Sequence, residues 1–143
     1  MTILVAVDLS DVTRKMLAFV RGIAREAAHK VFIVHVAEPE PEFVGWEAGP
    51  GVVRDQVAKE FQREHAEVES MAVELRAEGV DATGLLVQGP TIATILDEVE
   101  RRGADLLVVG SHGHGAAYDL AIGSISAGLI RKASLPVLVV PDR

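Results

Sequence analysis

Short apolar runs alternate along this chain with longer stretches of helical period. Ile3 to Val7, Val31 to Val36, Ala82 to Val87, Asp105 to Val109 and Val137 to Val140 are rich in Val, Ile and Leu. Runs so nearly continuous in hydrophobicity predict strands buried on both faces. Between the first two, Met16, Val20, Ile23 and Ala27 recur three or four apart. That spacing predicts an amphipathic helix, with Thr13 or Ser10 as its cap. A second helix is expected from around Val52 to Ala77, with Val57, Phe61, Val68, Ala72 and Leu75 on one stripe and Gly79 as its stop. A third carries Ile92, Ile95, Leu96 and Val99 after Pro90, and Gly103 ends it. The fourth holds Ile125, Leu129 and Ile130 and finishes before Pro136. Strands and helices in strict alternation, joined by right-handed crossovers, predict an α/β fold: one domain over residues 1–143, built as a doubly wound five-stranded parallel sheet with helices on both faces.

Pro39 to Gly51 fits neither period. With three Pro, three Gly, Phe43 and Trp46, it is expected to be a surface loop. Its aromatics serve either as a lid over a ligand or as anchors to the loop's own domain.

Composition narrows the classes. The chain has 143 residues, 49% of them hydrophobic and 24% charged, which suits one soluble globular domain with a substantial core. Fourteen Lys and Arg against 21 Asp and Glu leave a formal net charge of -7, which argues against a broad electrostatic grip on nucleic acid or an anionic membrane. Without cysteine there is no disulfide, thiol nucleophile or Cys-ligated zinc. The opening Met1-Thr2-Ile3-Leu4-Val5-Ala6-Val7-Asp8 lacks a basic segment and meets an acid too early for a signal peptide. No apolar run approaches the roughly 18 residues of a membrane span. The expectation is a soluble protein of the cytoplasm.

Open α/β sheets bind ligands beyond the carboxyl ends of their strands, where the strand order reverses. Two loops are candidates there. Gly110-Ser111-His112-Gly113-His114-Gly115 follows a buried strand, and its glycines let main-chain N–H groups approach an anion without a Cβ in the way. Gly123-Ser124-Ile125-Ser126 opens the last helix, where unpaired N–H groups, the positive dipole end and two hydroxyls meet. Together they suit a polyphosphate. The plainer alternatives are turn glycines and a capping Ser124. The chain has no Gly-Lys pair, and its glycines after Val109 run G-x-x-G-x-G, so both the Walker A loop and the G-x-G-x-x-G dinucleotide fingerprint are absent. The run from Gly123 to Gly128 misses the G-x-S-x-G nucleophile elbow by one residue. His112 and His114 lie two apart, but His29, His35 and His65 are scattered, so a three-ligand zinc site has no support.

The spacing Gly110-x2-Gly113-x9-Gly123-Ser124, followed by Ser126 and the strand after Pro136, resembles the universal stress protein family in its ATP-binding subclass. Ile3-Leu-Val-Ala-Val-Asp8-x-Ser10, Val34-His35-Val36 and Gly103-Ala-Asp105-Leu-Leu-Val-Val-Gly110 also match family blocks, so the likeness covers nearly the whole chain. It implies strand order 3-2-1-4-5, a homodimer joined through strand 137–140, and bound ATP, ADP or AMP, with Mg2+ as a further candidate. Carried over by position, Asp8 contacts the ribose and the main chain around Ala6 and Val36 lines the adenine pocket. Gly110, Gly113, His114, Gly123, Ser124 and Ser126 surround the phosphates; apart from the resemblance, His112 is a candidate phosphate contact. For Asp8 the alternative is a helix cap or a hydrogen bond within its own loop. For His35 it is a packed, hydrogen-bonded core histidine.

Between Gly110 and Ile130 there is no Lys or Arg, and Asp119 adds a negative charge. Phosphate charge would have to be met by amides, hydroxyls, histidines or Mg2+. One expectation is that His112 or His114 takes up a proton against the phosphates, so that affinity rises as pH falls through the histidine range, near about 6.5. No carboxylate, histidine and water arrangement for hydrolysis emerges, so no catalytic residue is assigned. The reading is a nucleotide-binding regulatory protein of the stress response. A slow Mg2+-dependent ATPase and a nucleotide-free interaction module are the alternatives.

Overall fold

Successive residues of each inner strand enter opposite cores, and this period of two organises the molecule. The structure is a computed structural model describing residues 1–37, 50–112 and 122–142, with the main chain alone for residues 50–53. Its elements are β1 (Thr2–Val7), α1 (Val12–Ala27), β2 (Lys30–Ala37), α2 (Pro50–Ala77), β3 (Asp81–Gln88), α3 (Thr91–Arg102), β4 (Leu106–Gly110), α4 (Ser124–Lys132) and β5 (Val137–Val140). The strands pair in parallel as one five-stranded sheet, order β3-β2-β1-β4-β5. The expected doubly wound α/β architecture is therefore the one the chain adopts.

Ile3 and Val5 of β1, Ile33 of β2 and Val108 of β4 meet Val12, Met16 and Val20 of α1 and Val68, Ala72 and Leu75 of α2. Their neighbours Leu4, Val34, Leu107 and Val109 face the other way, against Ile95 and Val99 of α3 and Leu129 of α4. Both faces of the sheet are thus covered, which explains why its strands read as unbroken apolar runs. The helix stops are also as expected. Gly103 caps α3 in the left-handed region at φ 60°, with its N–H on the Glu100 carbonyl, a conformation that glycine adopts without Cβ strain.

Two local expectations need correction. Neither Thr13 nor Ser10 caps α1: Asp11 occupies the N-cap position without a side-chain cap bond. Ser10 instead donates its hydroxyl to Asp8 Oδ1 at 2.5 Å, while its carbonyl accepts the Thr13 N–H at 3.1 Å. The loop's own turn has taken the hydroxyl that the helix would have used. In α4, Leu129 is buried but Ile125 and Ile130 remain 41% and 44% exposed. A nine-residue helix touching the sheet along one stripe cannot bury all three.

Thr13 offers a stability test. Among the described residues its buried Oγ1 has no hydrogen-bond partner. An unmade hydrogen bond costs about 1–3 kcal/mol, and a methyl group of the same shape carries no such cost. Thr13→Val should therefore raise Tm by several degrees, roughly 2–4 °C per kcal/mol for a chain of this size. A melt followed by circular dichroism checks it, and an unchanged or lower Tm counts against the buried, unpaired hydroxyl. Among the described residues, no helix is long and apolar enough to cross a membrane.

Candidate functional site

Strand order reverses between β1 and β4, which lie side by side with Ile3, Leu4 and Val5 opposite Leu106, Leu107 and Val108. The chain leaving β1 turns into α1 on one face. The chain leaving β4 leads towards α4 on the other. A crevice at the carboxyl ends of these two strands follows from that divergence.

On the β1 side, Asp8 follows the last strand residue. Its Oδ1 accepts the main-chain N–H of Ser10 at 3.0 Å as well as the Ser10 hydroxyl. The carboxylate thus organises its own loop, as the plainer sequence reading allowed. Within that loop Leu9 adopts φ 63°, a left-handed conformation that costs a branched residue roughly 1–2 kcal/mol. Ala6 packs with the α3/α4 core, and Val36 is buried in it near the end of β2. His35 faces the opposite core. Its Nδ1 lies 2.9 Å from the Val7 carbonyl, so that nitrogen carries the proton and donates, and Nε2 stands 3.5 Å from Glu64 of α2. The packed, hydrogen-bonded role expected for His35 is the one it has.

On the β4 side, a Cβ built on Gly110 would stand 2.7 Å from Val12 Cγ1 and 3.4 Å from Met16 Sδ. Glycine is needed here for the approach of α1 to the strand end. Two bonds then tie the glycine bends together. The Gly123 N–H donates to the Ser111 carbonyl at 2.6 Å. The buried Ser126 hydroxyl donates to the Gly110 carbonyl, also at 2.6 Å. The start of α4 is thereby fixed against the end of β4.

Gly123 rather than Ser124 holds the N-cap position of α4, and it brings no side chain to the cap. Ser124 is exposed as the first helical residue. The first-turn N–H groups of an α-helix lack intrahelical acceptors and carry the positive end of its dipole, which suits an anion. Gly113 and His114 lie outside the described residues.

Ser111 had no assigned role in the sequence reading. Its hydroxyl sits 3.1 Å from His112 Nδ1 and accepts the Asp142 N–H at 3.1 Å. The second contact spans 31 positions, so nothing in the local sequence announces it. Away from the crevice, the buried carboxylate of Glu98 is held by Arg102 at 3.1 Å and Arg101 at 3.6 Å, as a structural pair. Among the described residues, no group of three or more His, Asp or Glu is placed to hold a metal ion.

The model of the Universal stress protein family matches residues 1–141. A universal stress protein of Thermus aquaticus is 31% identical over 145 residues, covering 97% of this chain and 97% of that protein. A solved structure of a Methanocaldococcus jannaschii protein superposes with TM-score 0.81 at 25% identity, covering 99% of this chain and 96% of that one. A universal stress protein from Archaeoglobus fulgidus, solved in complex with dAMP, superposes with TM-score 0.65 at 25% identity, covering 97% and 96%.

Proposed function

The chain belongs to the universal stress protein family, and we propose that it serves there as a regulatory protein holding an adenine nucleotide (ATP, ADP or AMP) in the crevice between β1 and β4. One observation carries this reading: the Gly123 and Ser126 bonds that lock the first turn of α4 onto the end of β4. They bring the two glycine-bearing bends to one place, where their donors can act on one chain of phosphoryl oxygens. The relative solved with dAMP supports an adenine base.

In this reading the main chain around Ala6 and Val36 lines the adenine, and Asp8 accepts from the ribose. Gly110 and Gly123 shape the phosphate bends, because the Gly123 N–H is already engaged. The first-turn amides of α4 supply the donors, with the Ser124 hydroxyl beside them. Ser126 braces the bend, since its own proton goes to Gly110. Gly113, His112 and His114 complete the phosphate side. A Mg2+ ion would arrive with the nucleotide, taking phosphate and water oxygens and at most the Asp8 carboxylate.

Freshly purified protein, denatured and analysed by mass spectrometry, should release an adenine nucleotide in a fixed ratio to chain. Release of a different small molecule from the crevice would falsify the assignment. Incubation with radiolabelled ATP separates holding from turnover: a regulatory protein returns the label as ATP, whereas a slow ATPase releases phosphate at a rate abolished by changing Ser124.

We also propose a homodimer through β5. That strand lies at one end of the sheet, and its Val137, Leu138 and Val139 are only partly covered. An apolar edge of this kind is a hazard unless it is paired, and a two-fold mate pairs it. Val139→Lys should shift the mass measured by light scattering at micromolar concentration towards the monomer. An unchanged mass, with circular dichroism intact, would remove this interface from the account.

A further inference from the structure

Of the chain's 14 Lys and Arg, four stand on α1, namely Arg14, Lys15, Arg21 and Arg25. That helix carries one of the 21 Asp and Glu, Glu26. All four cations are exposed. Arg14, Arg21 and Arg25 recur at i, i+7 and i+11, so they form one row along the helix, about 16 Å long. Lys15 and Phe19, at i and i+4, form a second row across the same outward side, and Phe19 is 45% exposed.

The fold gains little from this arrangement. Arg14 sits in the first turn, where no acid offsets it and where a cation opposes the helix dipole. Arg25, in the last turn, suits the dipole. Arg21 and Arg25, however, are like charges at i and i+4, which weakens a helix. Glu78 meets Arg21 at 3.0 Å, and the Asp142 carbonyl accepts Lys15 Nζ at 2.6 Å. Among the described residues, the Arg14 and Arg25 side chains make no ion pair or hydrogen bond. On α2 the cations are treated differently: Arg63 pairs with Glu60 and Glu67, and Arg76 with Glu69.

A guanidinium binds a carboxylate through two parallel N–H groups, and a phenyl ring gains by burial against an apolar side chain. Arginine and aromatic residues are enriched together in the buried centres of protein interfaces. Glu78 demonstrates that a carboxylate can reach this row. Outside α1 the chain holds ten Lys and Arg against 20 Asp and Glu. A long polyanion such as nucleic acid is therefore repelled once it extends past the helix. A short acidic segment is not.

We propose that the outward side of α1 is the docking surface for a partner protein, which lays on it a short acidic segment with carboxylates for Arg14, Arg21 and Arg25 and an apolar side chain for Phe19. The inference does not rest on the nucleotide site proposed above.

Fluorescence anisotropy of the whole protein tests it, with a fluorescein-labelled peptide of about ten residues, Glu with Leu and Phe interspersed, roughly the three helical turns that the arginines span. At about 50 mM salt, where screening is weak, the peptide should saturate the wild type below about 1 mM. Arg14→Glu/Arg25→Glu should weaken it more than about tenfold, and Phe19→Ser more than about threefold. Arg131→Glu/Lys132→Glu changes net charge equally on α4, across the sheet, and should leave binding within about twofold. If the first double variant alters the circular dichroism, Arg14→Gln/Arg25→Gln reads the same loss. Absence of saturation overturns the proposal, as does an equal loss in the two double variants, which would reflect net charge alone. Tighter binding of a single-stranded oligonucleotide or of phosphatidylserine vesicles than of the peptide also overturns it. So does a salt-labile rise in mass of the protein alone, seen by light scattering and abolished by Arg14→Glu/Arg25→Glu, which would give the surface to a second copy of this chain.

Discussion

Leu107→Ala should lower the free energy of unfolding by about 2–5 kcal/mol. Leu107 is fully buried on β4, paired with Leu4 of β1 on one side and Val137 of β5 on the other. Its side chain fills the core beneath α3 and α4. Truncation leaves a cavity that a sheet held by strands on both sides cannot close, so the cost exceeds the simple transfer of the lost methyl groups. Urea titration should show a lower midpoint with an unchanged m-value. A loss below about 1 kcal/mol would mean that this core is looser than the packing described here.

Gly110→Val is expected to damage both stability and binding. The first carbon it adds already stands 2.7 Å from Val12 Cγ1. Val12 is buried and β-branched, with little freedom to turn aside. The added methyl groups then force β4 and the start of α1 apart. Overpacking of this kind costs about 1–3 kcal/mol or more. The Gly110 carbonyl also accepts the Ser126 hydroxyl, so displacing the strand end loosens the brace on α4. Adenine-nucleotide affinity of the folded protein should therefore fall more than about tenfold, or 1.4 kcal/mol. Calorimetric titration beside a denaturation curve separates the two losses. Destabilisation without loss of affinity would detach Gly110 from the site.

The sheet and most of its helices were legible because their signals are local and redundant. Val, Ile and Leu runs mark strands buried on both faces, and Gly79 and Gly103 mark helix ends. The start of α1 was misread because Ser10 can serve either a helix cap or the Asp8 turn, and the tertiary path of the loop decides between them. Glycines in the candidate site carry a similar ambiguity. Gly110 reads as room for a ligand, and its missing Cβ also makes room for Val12. Gly123 was read as a phosphate contact, yet its N–H belongs to Ser111. Ser111 itself carried no signal, because the partner that orients it comes from the far end of the chain. Residue types and spacings point to the candidate site, while the roles open to each residue depend on which groups are already satisfied.

In the reading proposed above, the bends joined by Gly123 and Ser126 hold an adenine nucleotide. Equilibrium dialysis of the purified protein against radiolabelled ATP tests this directly, without depending on a heat signal or on what survives purification. Saturation at one nucleotide per chain is expected, with competition by unlabelled ADP and AMP and a marked loss of uptake in Gly110→Val. Equal label on both sides of the membrane up to millimolar ATP, with folded wild-type protein, would contradict it.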